Sequence, residues 1–260
     1  MKIMGRTQPL AKYPILDCLR VLKELGFDGV EICLENPDLT PAHLTDSGAQ
    51  NVAERVNELG LAPHSVSYHK DYIYDDNEFE LTKKAISLTP RFGASIFVFA
   101  GTTKRTGDAA EWQRMVERTR ELVNLAENNG IVLAMEFEPG FIVGSTQELL
   151  KLFSALPSAH LAANLDLGHA FLCDADPMAS IQQLGQKIVH CHVENMKQGV
   201  HEHLLPWEGD MALDTYMLAL QQVGYTGGLA LDLYKHDYEA VASKSIIYLR
   251  QLMSGGRVQA

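Results

Sequence analysis

Residues 161–166, Leu161-Ala162-Ala163-Asn164-Leu165-Asp166, set a carboxylate at the end of a short apolar run, with a polar companion two positions before it. In a strand, residues two apart share a face, so Asn164 and Asp166 point one way and Leu165 the other. Three further runs repeat the arrangement: Ile131-Val132-Leu133-Ala134-Met135-Glu136, Ile188-Val189-His190-Cys191-His192-Val193 and Leu229-Ala230-Leu231-Asp232-Leu233. Glu136, His192 and Asp232 have small or polar companions at Ala134, His190 and Ala230, while Leu133, Met135, Cys191, Val193, Leu231 and Leu233 fall out of phase. The apolar set predicts contact with a helix layer, and the polar set faces the axis of a closed sheet.

Working outward from these runs, strands and helices alternate. Helices are expected near residues 14–26, 49–60, 78–92, 108–129, 146–156, 177–184, 213–223 and 238–253. The remaining strands are Lys2-Ile3-Met4, 29–34, 62–68 and 95–99. Eight strands alternating with eight helices predict an α/β protein, a single (β/α)8 TIM barrel over residues 1–260. No Pro/Ser-rich linker or composition shift divides the chain, and no GxGxxG follows the first strand to favour an open dinucleotide-binding sheet.

The net charge of −11 repels a phosphate backbone, and no basic run offers a local groove, so nucleic acid is not expected as a partner. Cys18, Cys33, Cys173 and Cys191 form no CxxC pair and read as reduced, packed thiols. With no run of eighteen apolar residues and only a short apolar stretch at the N-terminus, neither a membrane partner nor a signal peptide is expected, and the expected location is the cytoplasm.

Barrel enzymes keep their active sites at the carboxyl ends of their strands, where Glu136, Asp166, His192 and Asp232 would converge. Three carboxylates cannot gather there unneutralised, and one divalent ion held by all four side chains is the economical solution. Oxygen-rich ligation with one imidazole suits Mn²⁺ or Mg²⁺, and also admits Co²⁺ or Zn²⁺.

Residues 135–140, Asn164 to Ala170, His190 to Asn195 and His201 to Asp210 resemble motifs of the sugar phosphate isomerase/epimerase family, the xylose-isomerase-like TIM barrels. The resemblance covers nearly the whole chain. It implies metal ligands at Glu136, Asp166, His192 and Asp232, and a substrate contact for His169. Two departures from the family pattern stand out: Asp232 where a glutamate is usual, and Asn195 where many relatives carry aspartate. The long connection from Asn195 to Met211 reads as a binding loop, with His203, Trp207 and Glu208 as substrate contacts. Of His64 and His69, parity lets one face inward, and His69 at the strand end is the better candidate.

The expected activity is that of an isomerase or epimerase on a small polyhydroxylated carbonyl compound. Glu136 and Asp232 would move a proton on opposite sides of a carbon while the metal stabilises an enediolate, with His169 assisting. An inosose-type dehydratase begins with the same proton abstraction. Less favoured are an apurinic-site endonuclease-like hydrolase and a sugar-binding barrel without catalysis. Assembly as a homo-oligomer is compatible with the sequence.

Overall fold

The computed structural model describes residues 1–255; residues 256–260 of the expected span lie outside the described residues. Seven parallel strands come first: β1 (Lys2–Arg6), β2 (Gly29–Cys33), β3 (Ala62–Ser67), β4 (Ile96–Ala100), β5 (Val132–Glu136), β6 (Leu161–Asp166) and β7 (Ile188–Val193). A hairpin follows, β8 (Asn195–Lys197) and β9 (Val200–Leu204), and then β10 (Gly228–Leu231). β1 to β7 pair in order, and β10 pairs with both β7 and β1, which closes the eight-stranded parallel barrel. The fold is the expected (β/α)8 barrel.

Nine α-helices occur among the described residues: α1 (Ile15–Leu25), α2 (Asp46–Glu58), α3 (Asp76–Leu88), α4 (Ala109–Asn129), α5 (Thr146–Ala155), α6 (Leu167–Cys173), α7 (Pro177–Leu184), α8 (Leu213–Gln222) and α9 (Tyr238–Met253). The starts of α2, α3, α4, α5, α7 and α9 are fixed by side chains that accept the first free backbone N–H groups: Thr45, Asp75, Asp108, Ser145, Asp176 and Asp237. α4 ends where Gly130 takes φ 65°, a left-handed cap that suits glycine. The third expected helix stops at Leu88 and tightens into a 3-10 turn over Thr89–Phe92, because Pro90 cannot donate to an α-helical ladder. None of the described helices is long and apolar enough to cross a membrane.

The core sits between sheet and helices. Leu133, Met135, Leu165, Cys191, Val193, Leu231 and Leu233 all belong to the main apolar cluster there. Ala134 and Ala230 are buried but lie outside that cluster, as expected of residues facing the axis. All four cysteines are free, and Cys173 is less buried than the other three.

Two features differ from the sequence expectation. A short helix, α6, begins immediately after Asp166, and the connection after β7 is largely a two-stranded hairpin. Asn195 anchors that hairpin region: its amide donates to the carbonyl oxygens of Pro206 and Met211, and its Oδ1 accepts from the Met211 N–H. An aspartate could not make the two donations, which gives the departure at this position a structural reason.

Candidate active site

Asp166 ends β6 and also caps α6. Its Oδ1 accepts the His169 backbone N–H at 2.7 Å, while its Oδ2 is buried with no hydrogen-bond partner. The Asp-x-x-His spacing is therefore a capping geometry: the cap fixes the carboxylate and brings His169 over the strand ends. His169 Nδ1 lies 3.0 Å from the Phe137 carbonyl oxygen, and its Nε2 lies 3.0 Å from His201 Nε2.

His192, on β7, is held from below by Glu31 on β2. Glu31 Oε2 lies 2.9 Å from His192 Nε2 and 3.1 Å from His190 Nε2, and Arg6 donates to its other oxygen at 2.9 Å. A carboxylate accepts only, so Nε2 carries a proton and Nδ1 is the nitrogen turned to the site. Nδ1 lies 3.2 Å from Glu136 Oε2 and 3.9 Å from both Asp166 Oδ2 and Asp232 Oδ2. Burial opposes a positive charge on this ring, yet Glu31 and Glu136 outweigh it and push the pKa of His192 up to about 10. A field that holds a proton so firmly also favours another cation at Nδ1.

Glu136 ends β5 and accepts from Asn164 Nδ2 at 2.7 Å. Despite burial, His192 and His69 hold its carboxyl well below the ordinary range. Glu136, Asp166 and His192 each offer a ligand atom within 4.8 Å of the others. Asp232, the fourth residue of the expected ligand set, stands at the edge of this group. It is the residue after β10 and forms an ion pair with Arg6 from β1, which outdoes the burial penalty and keeps its carboxyl below the ordinary range. Its ligand atom groups with Glu194 and His203, although Oδ2 remains 3.9 Å from His192 Nδ1.

These side chains line a cavity of about 330 Å³ at the carboxyl ends of the strands, open to solvent and sized for a small sugar. Glu136, His69, His169, His192, His203 and Asp232 line it, whereas Trp207 and Glu208 do not. Trp207 packs on α9 instead, 5.7 Å from the Tyr248 ring and 4.1 Å beneath Lys244 Nζ, and Glu208 is exposed. The hairpin sends only its own alternate residues, His201 and His203, into the cavity; beyond Leu204 the chain turns back to the helix layer.

His69 Nε2 lies 3.3 Å from Glu136 Oε2, and its Nδ1 lies 3.5 Å from Glu35. His64 also reaches the barrel interior, accepting from the Gly228 N–H and lying 5.0 Å from the His190 ring. β3 ends at Ser67, so strand parity does not carry from His64 to His69, and both face inward.

Sequence reasoning missed Arg6, Glu31 and Glu194. Glu31 had a legible signal, a lone carboxylate inside an apolar strand that needs a buried partner. Glu194 had another: the two-residue step from His190 to His192 reaches it next. Arg6 stood beyond the short strand read at Lys2-Ile3-Met4, and its partner Asp232 is a whole chain away.

The fold and site define a (β/α)8 barrel with acidic and histidine side chains gathered at the catalytic face. More specifically, the chain belongs to the xylose isomerase-like TIM barrel family, whose model matches residues 19–252. It is similar to fructoselysine 3-epimerase of Shigella flexneri, 24% identical over 93% of this chain and 94% of that protein. It is also similar to the L-ribulose-5-phosphate 3-epimerase UlaE of Salmonella paratyphi A, 26% identical over 88% of this chain and 85% of that one. Among solved structures it resembles AsbF of Bacillus anthracis, a probable 3-DHS dehydratase, with a TM-score of 0.82 and 19% identity, covering 96% of this chain and 99% of that one.

Proposed function

We propose that the protein is a divalent-metal-dependent epimerase or isomerase of a small ketose, acting at the carbon beside the carbonyl. The observation that carries this reading is the Glu136–Asp166–His192 group, of which Glu136 and His192 line the cavity while Asp166 Oδ2 is buried beside them and unpartnered. An orphaned carboxylate oxygen beside a second carboxylate and an imidazole nitrogen fits a cation such as Mn²⁺, Mg²⁺, Co²⁺ or Zn²⁺. Asp232 completes the set from the edge. When bound, the ion supplies Lewis-acid polarisation of the substrate carbonyl.

The two 3-epimerase relatives have names that share a reacting carbon while their substrates differ elsewhere, which supports a ketose centre as the common element. Glu136 and Asp232 are both held ionised, so either can accept the proton from that carbon. His69 lies 3.3 Å from Glu136 and His203 3.6 Å from Asp232, each where a proton can be passed on. His169 reaches over the same cavity and hydrogen-bonds substrate oxygens. The substrate is a free small molecule, with neither nucleic acid nor membrane as partner, and the setting is the cytoplasm. One domain spanning the chain, alone or in a homo-oligomer, suffices for this chemistry.

Incubation with Mn²⁺ and a panel of ketoses and their phosphates in deuterated water tests the reading. Deuterium is expected at the carbon beside the carbonyl, together with the epimer or the isomeric aldose. Loss of water without epimer or aldose would make the protein a dehydratase, and no exchange with any ketose while metal is bound would leave a binding barrel.

A further inference from the structure

Arg6 is the one Lys or Arg buried among the described residues, 4% exposed, and it lines the cavity. It ends β1, which lies between β2 and β10 in the barrel, so its side chain stands between Glu31 on one neighbour and Asp232 just past the other. Two of its nitrogens fix the guanidinium there. Nε donates to Glu31 Oε1 at 2.9 Å, and Nη1 forms the ion pair with Asp232 Oδ2. The backbone is fixed as well: the Arg6 N–H donates to the Tyr238 hydroxyl at 3.3 Å, and that hydroxyl donates to the Leu231 carbonyl oxygen at 2.9 Å, next to Asp232.

The third nitrogen is left over. Nη2 makes no hydrogen bond or ion pair among the described residues, yet it is not sealed in protein as the orphaned oxygens of Asp166, Glu194 and Asp232 are. Its N–H groups therefore open on the cavity that Arg6 lines. Charge decides what such a donor serves. Glu31 and Asp232 outnumber the one guanidinium, so the trio is net negative and offers a phosphate or carboxylate no net attraction. A neutral oxygen suits it, above all one that turns negative only as the reaction proceeds, because a donor fixed in advance meets that charge without reorganising.

We propose that Arg6 is a catalytic residue, its Nη2 donating to the substrate carbonyl oxygen while Asp232 or Glu136 works on the adjacent carbon. The inference rests on the ketose reading above. In the step, the C–H bond beside the carbonyl breaks, the proton passes to the carboxylate, and the electron pair moves to the carbonyl oxygen. Nothing is oxidised, and Arg6 keeps all its protons, as a guanidinium does at any working pH. Arg6 thus stabilises the new charge and does not carry the proton.

Arg6→Lys tests this, because an ammonium keeps a charge beside Asp232 but cannot hold Glu31, Asp232 and a substrate oxygen in one plane. At saturating Mn²⁺, kcat for deuterium exchange beside the carbonyl is expected to fall by about 10²–10³-fold, with KM within about threefold of wild type. The second readout is calorimetric binding of erythronohydroxamate, a stable planar mimic of a small enediolate, which Arg6→Lys should weaken by about 10²-fold. The circular dichroism of the fold should be unchanged. Should Arg6→Lys misfold, Arg6→Ala with millimolar guanidinium takes its place, and exchange should rise with guanidinium and not with methylammonium. Wild-type kcat in Arg6→Lys would overturn the proposal. A fall in kcat with hydroxamate affinity unchanged would overturn the substrate contact and reduce Arg6 to a residue that positions Asp232. No exchange by the wild type with any ketose would overturn the ketose reading itself, and this role with it.

Discussion

Glu111, at the start of α4, and the acids at the barrel mouth are all buried carboxylates, and they are treated in opposite ways. Glu111 accepts from the Tyr74 hydroxyl at 2.6 Å and from the backbone N–H groups of Arg105, Thr106 and Gly107 at 2.7, 3.3 and 2.7 Å. Both of its oxygens are satisfied by the chain around it. Asp166, Glu194 and Asp232 each keep one buried oxygen with no partner. A carboxylate whose bonds close within the chain holds a loop together, whereas a group of acids left open together marks where a ligand's positive charge is needed. Burial alone does not separate the two cases; satisfaction does.

The sharpest way to break this contrast is to remove one open acid and measure turnover. Glu136→Gln should lower kcat by at least about 10²–10⁴-fold, the usual contribution of a positioned base, with the circular dichroism of the fold unchanged. Retained activity would remove Glu136 from the chemistry. His169→Ala should cost less, about 10²-fold in kcat, because it loses a hydrogen bond to substrate oxygen rather than a ligand. Mn²⁺ affinity measured in parallel should barely move. Equal loss of affinity and turnover would make His169 a ligand instead.

The parts of this arrangement that were legible in the sequence are those with a local signature. Strand phase in four runs pointed to Glu136, Asp166, His192 and Asp232, since an apolar face against helices leaves the other face to the axis. The barrel itself followed from the alternation of elements. Arg6 and Glu31 escaped because their meaning lies in partners on other strands, Asp232 and His192, which only closure of the sheet brings near. The helix α6 was hidden because Asp166 is read as a strand residue and serves at once as its cap. Trp207 looked like a binding residue within a loop crowded with polar groups, and its true surroundings on α9 depend on a hairpin whose pairing has only a few residues.

The smallest effect is also the cleanest test of satisfaction as the criterion. Glu111→Gln removes an acceptor that three backbone N–H groups and a hydroxyl require, so it should lower the thermal midpoint by several degrees. Glu194→Gln, compared in metal-free protein, should shift the midpoint by less than about 2 °C, since burial beside Asp166 and Asp232 already raises that carboxyl well above the ordinary range. The sign of the pH dependence follows from Glu111 itself. Burial works against its charge, but the Tyr74 hydroxyl and the loop N–H groups prevail and lower its pKa from the ordinary 4.5 to about 2. The native state therefore binds fewer protons than the unfolded chain between those values, and stability rises with pH across that window. The stabilisation is present above about 4.5 and is lost as the pH falls through about 2. The gap in urea midpoint between wild type and Glu111→Gln should accordingly be full at pH 7 and visibly narrower at pH 3. A gap that stays constant with pH would mean that the ionised carboxylate contributes nothing beyond its shape, and satisfaction would then fail to distinguish Glu111 from the acids of the barrel mouth.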